Sequence, residues 1–137
     1  MASTNLTWPP PGYETPSFPS LYWPVKPREG TQQHLYNAND IWRFTLLWTL
    51  IVYAAFHLAS GFYAFFMMPS KQSLGIPLVF AIVGGIEATM AGSIVGLVIG
   101  AVYKAGYLTM STWIPLVWSV INVLVLVLSS FSLQGGL

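Results

Sequence analysis

Cysteine is absent from the 137 residues, which removes disulfides, thiolate metal sites and cysteine nucleophiles together. Charge is nearly as scarce: Asp, Glu, Lys and Arg fill 7% of positions, against roughly 25% in soluble domains. That is too little to coat a soluble globule. Five Lys and Arg against four Asp and Glu leave a formal charge of +1, without the clustered bases that a nucleic-acid surface needs, so no nucleic-acid partner is expected. No basic segment leads into an apolar core between Met1 and Leu21, so no cleavable signal peptide is read there. Insertion is left to the first span. Only two histidines are present, one of them (His34) before the first apolar run, so no metal site and no cofactor is expected.

What the chain has in abundance is apolar length. Hydrophobic residues make up 55% of positions, gathered in three runs: Ile41 to Phe66, Ile76 to Val102 and Trp113 to Phe131. The first is interrupted only by Arg43 near its start and His57 within it, and would give roughly 39 Å of helix against a hydrocarbon core of about 30 Å. Barrel strands alternate apolar and polar residues, whereas these runs are apolar on every face. The pattern predicts an all-α polytopic membrane protein with three transmembrane helices, spans 41–66, 76–102 and 113–131. Asn39 or Asp40 can cap the first helix, and Pro115 sits in the first turn of the third, where its missing N–H costs nothing. Residues 69–73 read as a short turn, residues 103–111 as a second polar interruption, and residues 132–137 as a short C-terminal tail.

The leading segment, residues 1–39, holds seven of the ten prolines. Proline lacks a donor and a free φ, so this tail is expected to be extended or polyproline-like and mostly irregular. Its aromatic residues, Trp8, Tyr13, Phe18, Tyr22 and Trp23, exceed what an inert linker needs. Either the tail rests on the membrane interface, where Trp and Tyr rings are at home, or it docks on a partner protein.

In the second span a small residue falls at every fourth position: Gly84, Ala88, Gly92, Gly96 and Gly100. No hydrophobic force pulls helices together in lipid, so close approach over small residues must supply attraction. Each four-residue step advances about 40° beyond a full turn, so one straight neighbour is not expected to follow all five positions. Gly92, Gly96 and Gly100 would meet one helix crossing at about −40°, leaving Gly84 and Ala88 to a different neighbour. That neighbour is either another span of this chain, or a second protein or copy.

Counting from the span ends places His57, Glu87 and Asn122 each roughly 14 to 17 Å from a membrane surface. All three would lie near the midplane. Intramembrane ionisable groups seldom face lipid, so these residues are expected to turn toward one another, with Glu87 protonated or paired with His57. They serve either as polar glue between helices, or as a site for protons, substrate or lipid headgroups drawn into the bilayer. A triad drawn from Ser60, His57 and Glu87 lacks an oxyanion hole and a water route, so no catalytic residues are assigned and no enzyme is expected.

Leu47-Trp48 and Phe56-His57 with Gly61, Ile82-Val83-Gly84, and Val102-Tyr103-Lys104-Ala105 resemble, in order and spacing, the transmembrane protein 170 family. The similarity covers roughly residues 41–131. It implies a three-span protein of the endoplasmic reticulum and nuclear envelope that balances membrane sheets against tubules, beside lipid-transfer machinery. The family supplies no catalytic residues to carry over, and the proline-rich tail and weakly basic first loop depart from its pattern. Lys26, Arg28, Arg43 and Lys104 lie on one side of the membrane and Lys71 on the other, which favours a cytosolic amino terminus. The family's basic, cytosolic first loop implies a lumenal one, in keeping with a glycosylation sequon at Asn5. The resulting expectation is a non-catalytic organiser of membrane shape whose partners are lipids and other membrane proteins, or itself, through the small-residue stripe. The alternative is a lipid-handling or transport subunit that uses Glu87.

Overall fold

The computed structural model describes residues 8–23, 25, 34–68 and 70–132. Strand β1 (His34–Leu35) is followed by helix α1 (Ala38–Met67), a 3₁₀ turn (Lys71–Leu74), helix α2 (Gly75–Ala105), strand β2 (Met110–Ser111) and helix α3 (Ile114–Phe131). All three α-helices are long and apolar enough to cross a membrane, and each falls within three residues of its expected bounds. Their backbone groups are satisfied inside the helix, as lipid demands. Buried Thr45 and Thr49 solve the same problem for their side chains by donating to the carbonyls of Ile41 (2.8 Å) and Thr45 (2.7 Å).

The start of α1 differs from expectation. Asn37 is the N-cap, without a side-chain cap bond. Asn39 and Asp40 fall inside the first turn, where the Asp40 carboxylate favours the positive end of the helix dipole and accepts from Thr15 Oγ1 at 2.9 Å and Asn37 Nδ2 at 3.1 Å. At the end of α2, the Leu108 N–H bonds the Tyr103 carbonyl and the Tyr107 N–H bonds the Lys104 carbonyl. This is a Schellman closure, with Tyr107 at φ +50° in the left-handed position that glycine usually takes.

Helix α1 is central: α2 and α3 both pack on it and make little contact with each other. The α1–α2 seam runs antiparallel along nearly the whole of both helices. A Cβ built on Gly100 would fall 2.9 Å from the Ala38 carbonyl oxygen, on Gly96 3.1 Å from Trp42 Cα, on Gly92 3.1 Å from Leu46 Cα, and on Gly84 2.6 Å from the His57 ring. Ala88, fully buried, packs with Tyr53. All five small residues therefore meet one helix of the same chain, and the expected division between two neighbours is corrected. Rows at four-residue spacing run obliquely to the helix axis, and α1 offers a matching row, Ala38, Trp42 and Leu46, then Thr49, Tyr53 and His57. The three-residue step from Leu46 to Thr49 takes up the drift that a strict four-residue row accumulates. The stripe is thus covered from within by α1, the intramolecular alternative of the expectation.

A second difference lies outside the helices. β1 and β2 pair antiparallel, His34 with Ser111 and Leu35 with Met110. Leu35 and Met110 are buried with Ile41, Phe44 and Ile99, and Phe18 packs against that core. The Phe18 ring meets Phe44 at 5.4 Å and Trp48 at 5.2 Å between centroids. Three bonds fasten the tail to the start of α3: Thr112 Oγ1 to the Ser20 carbonyl, Trp113 Nε1 to the Tyr22 carbonyl, and Tyr22 Oη with Ser111 Oγ, all 2.8 to 2.9 Å. Residues 8–23 are thus irregular in backbone but folded onto the helix ends of their own chain.

Candidate functional site

The polar residues of the spans gather around Tyr53, Ala88 and Val123, one buried cluster to which each helix contributes one side chain. Tyr53 and His57, one turn apart on α1, stack with centroids 5.9 Å apart and planes at 18°. His57 Nδ1 lies 2.9 Å from the Tyr53 carbonyl oxygen. A carbonyl only accepts, so Nδ1 carries the proton. That leaves Nε2 turned toward Glu87, 3.2 Å from its Oε2. Oε2 itself is buried and lies off the direction of a hydrogen bond. The rest of the Glu87 side chain is not enclosed: it is 42% exposed, against 14% for His57.

Asn122 joins this layer through its main chain. Tyr53 Oη donates to the Asn122 carbonyl at 3.2 Å, whereas the Asn122 amide nitrogen is buried without a hydrogen-bond partner. The structure thus brings His57 and Glu87 into direct contact and links Asn122 to them by way of Tyr53, a residue that the sequence reading passed over. Its signal was available, because Tyr53 stands one helical turn before His57, where a ring can stack. Ser60 is exposed and donates to the Phe56 carbonyl at 2.9 Å, while both His57 nitrogens face other groups, so these side chains do not form a nucleophile and base. Asn5 lies outside the described residues.

An apolar three-helix set with a polar layer inside it and a folded cap at one end defines a small polytopic α-helical membrane protein. Within that class the assignment is specific: a family model described as "Transmembrane protein 170A/B-like" matches residues 34–137, and the chain belongs to this family. It is also similar to a protein of Saccharomyces cerevisiae described as "Uncharacterized protein YPR153W", at 41% identity over 128 residues, covering 93% of this chain and 91% of the relative. No solved structure matches. The family match begins at β1, so it takes in the strand pair and all three helices.

Proposed function

We propose that the chain is a non-catalytic organiser of the endoplasmic reticulum and nuclear envelope membrane, acting as an assembly subunit that biases membrane shape. The observation that carries this reading is the difference between the two ends of the helix set. At one end residues 8–23, both strands and the segment 106–113 build a folded platform. Among the described residues, only the short connection from Met68 to Leu74 joins α1 to α2 at the other. Exposed Trp23 and Tyr107 suit the platform to the interface. A body that takes more area in one leaflet than in the other favours a bilayer convex on its wider side. Assembly with other membrane proteins or further copies falls to the outer faces of α2 and α3, since the small-residue stripe is used within the chain. The test is reconstitution into giant vesicles: the wild-type chain should draw tubules at densities where Phe18→Ser, which releases the platform, does not. Equal shapes with both proteins would refute the reading.

A second reading, lipid handling, is favoured by one observation, the half-exposed Glu87 side chain inside an apolar span. Intramembrane acids are functional candidates by default. Lipid scrambling in reconstituted vesicles, lost in Glu87→Leu with the fold intact, would support it; scrambling no faster than in protein-free vesicles would remove it.

A further inference from the structure

We propose that the cavity between the tail and the start of α1 binds the headgroup of a choline phospholipid. Such binding goes beyond both readings above, since it requires only that the platform stand at the interface, whether or not the platform bends a bilayer. The cavity holds about 460 Å³, within the range of about 300 to 1,000 Å³ typical of small-molecule sites. Trp8 and Tyr36 give it an aromatic wall, and Asn37, Asn39, Asp40 and Lys104 supply polar groups. Two opposite charges thus line one space without pairing, because the one ion-pair contact among the described residues joins His57 to Glu87. A ligand that carries both signs a few bonds apart meets both. Lys104, exposed at the end of α2, is a point charge suited to a phosphate group.

The opposite side of the cavity selects the cation. The Trp8 and Tyr36 rings stand 4.9 Å apart between centroids with planes at 61°, two aromatic walls at an angle of the kind that recognises a quaternary ammonium. Asp40 adds negative charge, but its Oδ2 already accepts from Thr15 and Asn37. A primary ammonium brings three donors that each need an acceptor, whereas a trimethylammonium asks only for charge and ring faces. Choline is therefore favoured over ethanolamine, and a net-anionic headgroup is opposed by Asp40. A lipid, and not free phosphocholine, follows from what lies below the cavity. Ile94, Leu97 and Ala101 precede Lys104 on α2 at steps of three and four residues, which keep to one helix face. All three are exposed, so acyl chains have an apolar track that leads from the headgroup into the bilayer.

The experiment uses the full chain in a mild detergent, with phosphatidylcholine, phosphatidylethanolamine and phosphatidylglycerol of the same acyl chains added in equal amounts. Bound lipid is read by native mass spectrometry. Phosphatidylcholine should be retained about fivefold over phosphatidylethanolamine, with phosphatidylglycerol last. Trp8→Leu should lower phosphatidylcholine retention about fivefold, whereas Trp8→Phe, which keeps a ring face, should stay within about twofold of wild type. Lys104→Gln should weaken phosphatidylcholine and phosphatidylethanolamine alike, by about threefold, since both carry the phosphate. The ranking of headgroups on the wild-type chain supplies a readout even where a variant fails to fold. Equal retention of the three lipids, or phosphatidylglycerol first, overturns the choline assignment. A phosphatidylcholine preference unchanged in both Trp8→Leu and Lys104→Gln puts the lipid elsewhere and overturns the cavity. Displacement by free phosphocholine at the same concentration as the lipid overturns the lipid in favour of a small solute.

Discussion

His57 Nε2 and Glu87 Oε2 stand 3.2 Å apart, and the proton that this contact needs cannot come from His57 Nδ1, which is committed to the Tyr53 carbonyl at 2.9 Å. The two residues therefore meet across the α1–α2 seam, with the Nε2 face of the ring turned to the carboxyl group. Their removal is not symmetric in effect.

Replacing His57 with Leu strands the acid, whereas replacing Glu87 with Gln leaves an amide that can still meet Nε2. Glu87→Gln is expected to cost about 0.6 to 2 kcal/mol, the range for one polar contact between membrane helices, and His57→Leu more. The double variant His57→Leu/Glu87→Leu should recover most of the His57→Leu loss, because no unpaired acid remains. Reversible unfolding in mixed micelles measures all three. A double variant less stable than His57→Leu would show that the pair is not the source of the cost.

Two adjacent glycines separate packing from helix propensity. A Cβ on Gly84 would fall 2.6 Å from the His57 ring, while a Cβ on Gly85 would meet nothing within 4 Å. Gly84→Ala must push the ring off Glu87 and should destabilise by roughly 1 to 3 kcal/mol, as overpacking does. Gly85→Ala should be neutral or stabilising by roughly 0.5 to 1 kcal/mol, through helix propensity alone. Thermal unfolding in detergent, followed by circular dichroism, distinguishes them; equal midpoints would contradict the packing of α2 on α1.

This contrast also marks where the residue pattern is legible. Lipid requires long apolar runs and internally satisfied backbone, so the three helices can be read directly from composition. A count of residues along each span puts His57 and Glu87 at one level, which agrees with their 3.2 Å contact. Which neighbour covers the glycines does not follow from such a count, because the answer lies in a matching row on α1 whose members, Trp42, Leu46 and Thr49, share no pattern that marks them as a contact row. The platform is hidden for a different reason. Proline argues against helix without saying what a segment packs on, and Leu35 pairs with Met110 across two intervening helices. Tyr53 carries a signal in its place one helical turn before His57, but a tyrosine in an apolar run signals the interface as readily as a buried stack.

Tyr107 holds a left-handed backbone at φ +50°, which costs a non-glycine residue roughly 1 to 2 kcal/mol. Its ring meets Trp8 edge-on at 6.5 Å, a contact that glycine cannot make. Tyr107→Gly should therefore stabilise the end of α2, slowing amide exchange at Leu108, while making the region around Trp8 more accessible to protease. Slower exchange with unchanged protease sensitivity would mean that the ring does not hold the tail.

The tail itself should respond to alkali through Tyr13. Burial raises the pKa of its phenol above the ordinary value near 10, against partial relief from its hydrogen-bonding neighbours, and the Asp40 charge adds to the rise. Its hydroxyl donates to the His34 carbonyl at 2.8 Å, a bond that a phenolate cannot make. A group whose pKa is higher in the docked state binds its proton more tightly there, so docking keeps its full strength below about pH 10. As pH climbs past the undocked value toward the docked one, that contribution is lost. Proteolysis of the tail should accelerate over this interval, and a Tyr13→Phe variant, which has no proton to lose at this site, should show a smaller acceleration than wild type. Both proteins also carry the other tyrosines, so the difference between them isolates Tyr13. Identical pH profiles would show that the tail is held by Phe18 and the Trp113 bond, without the Tyr13 hydroxyl.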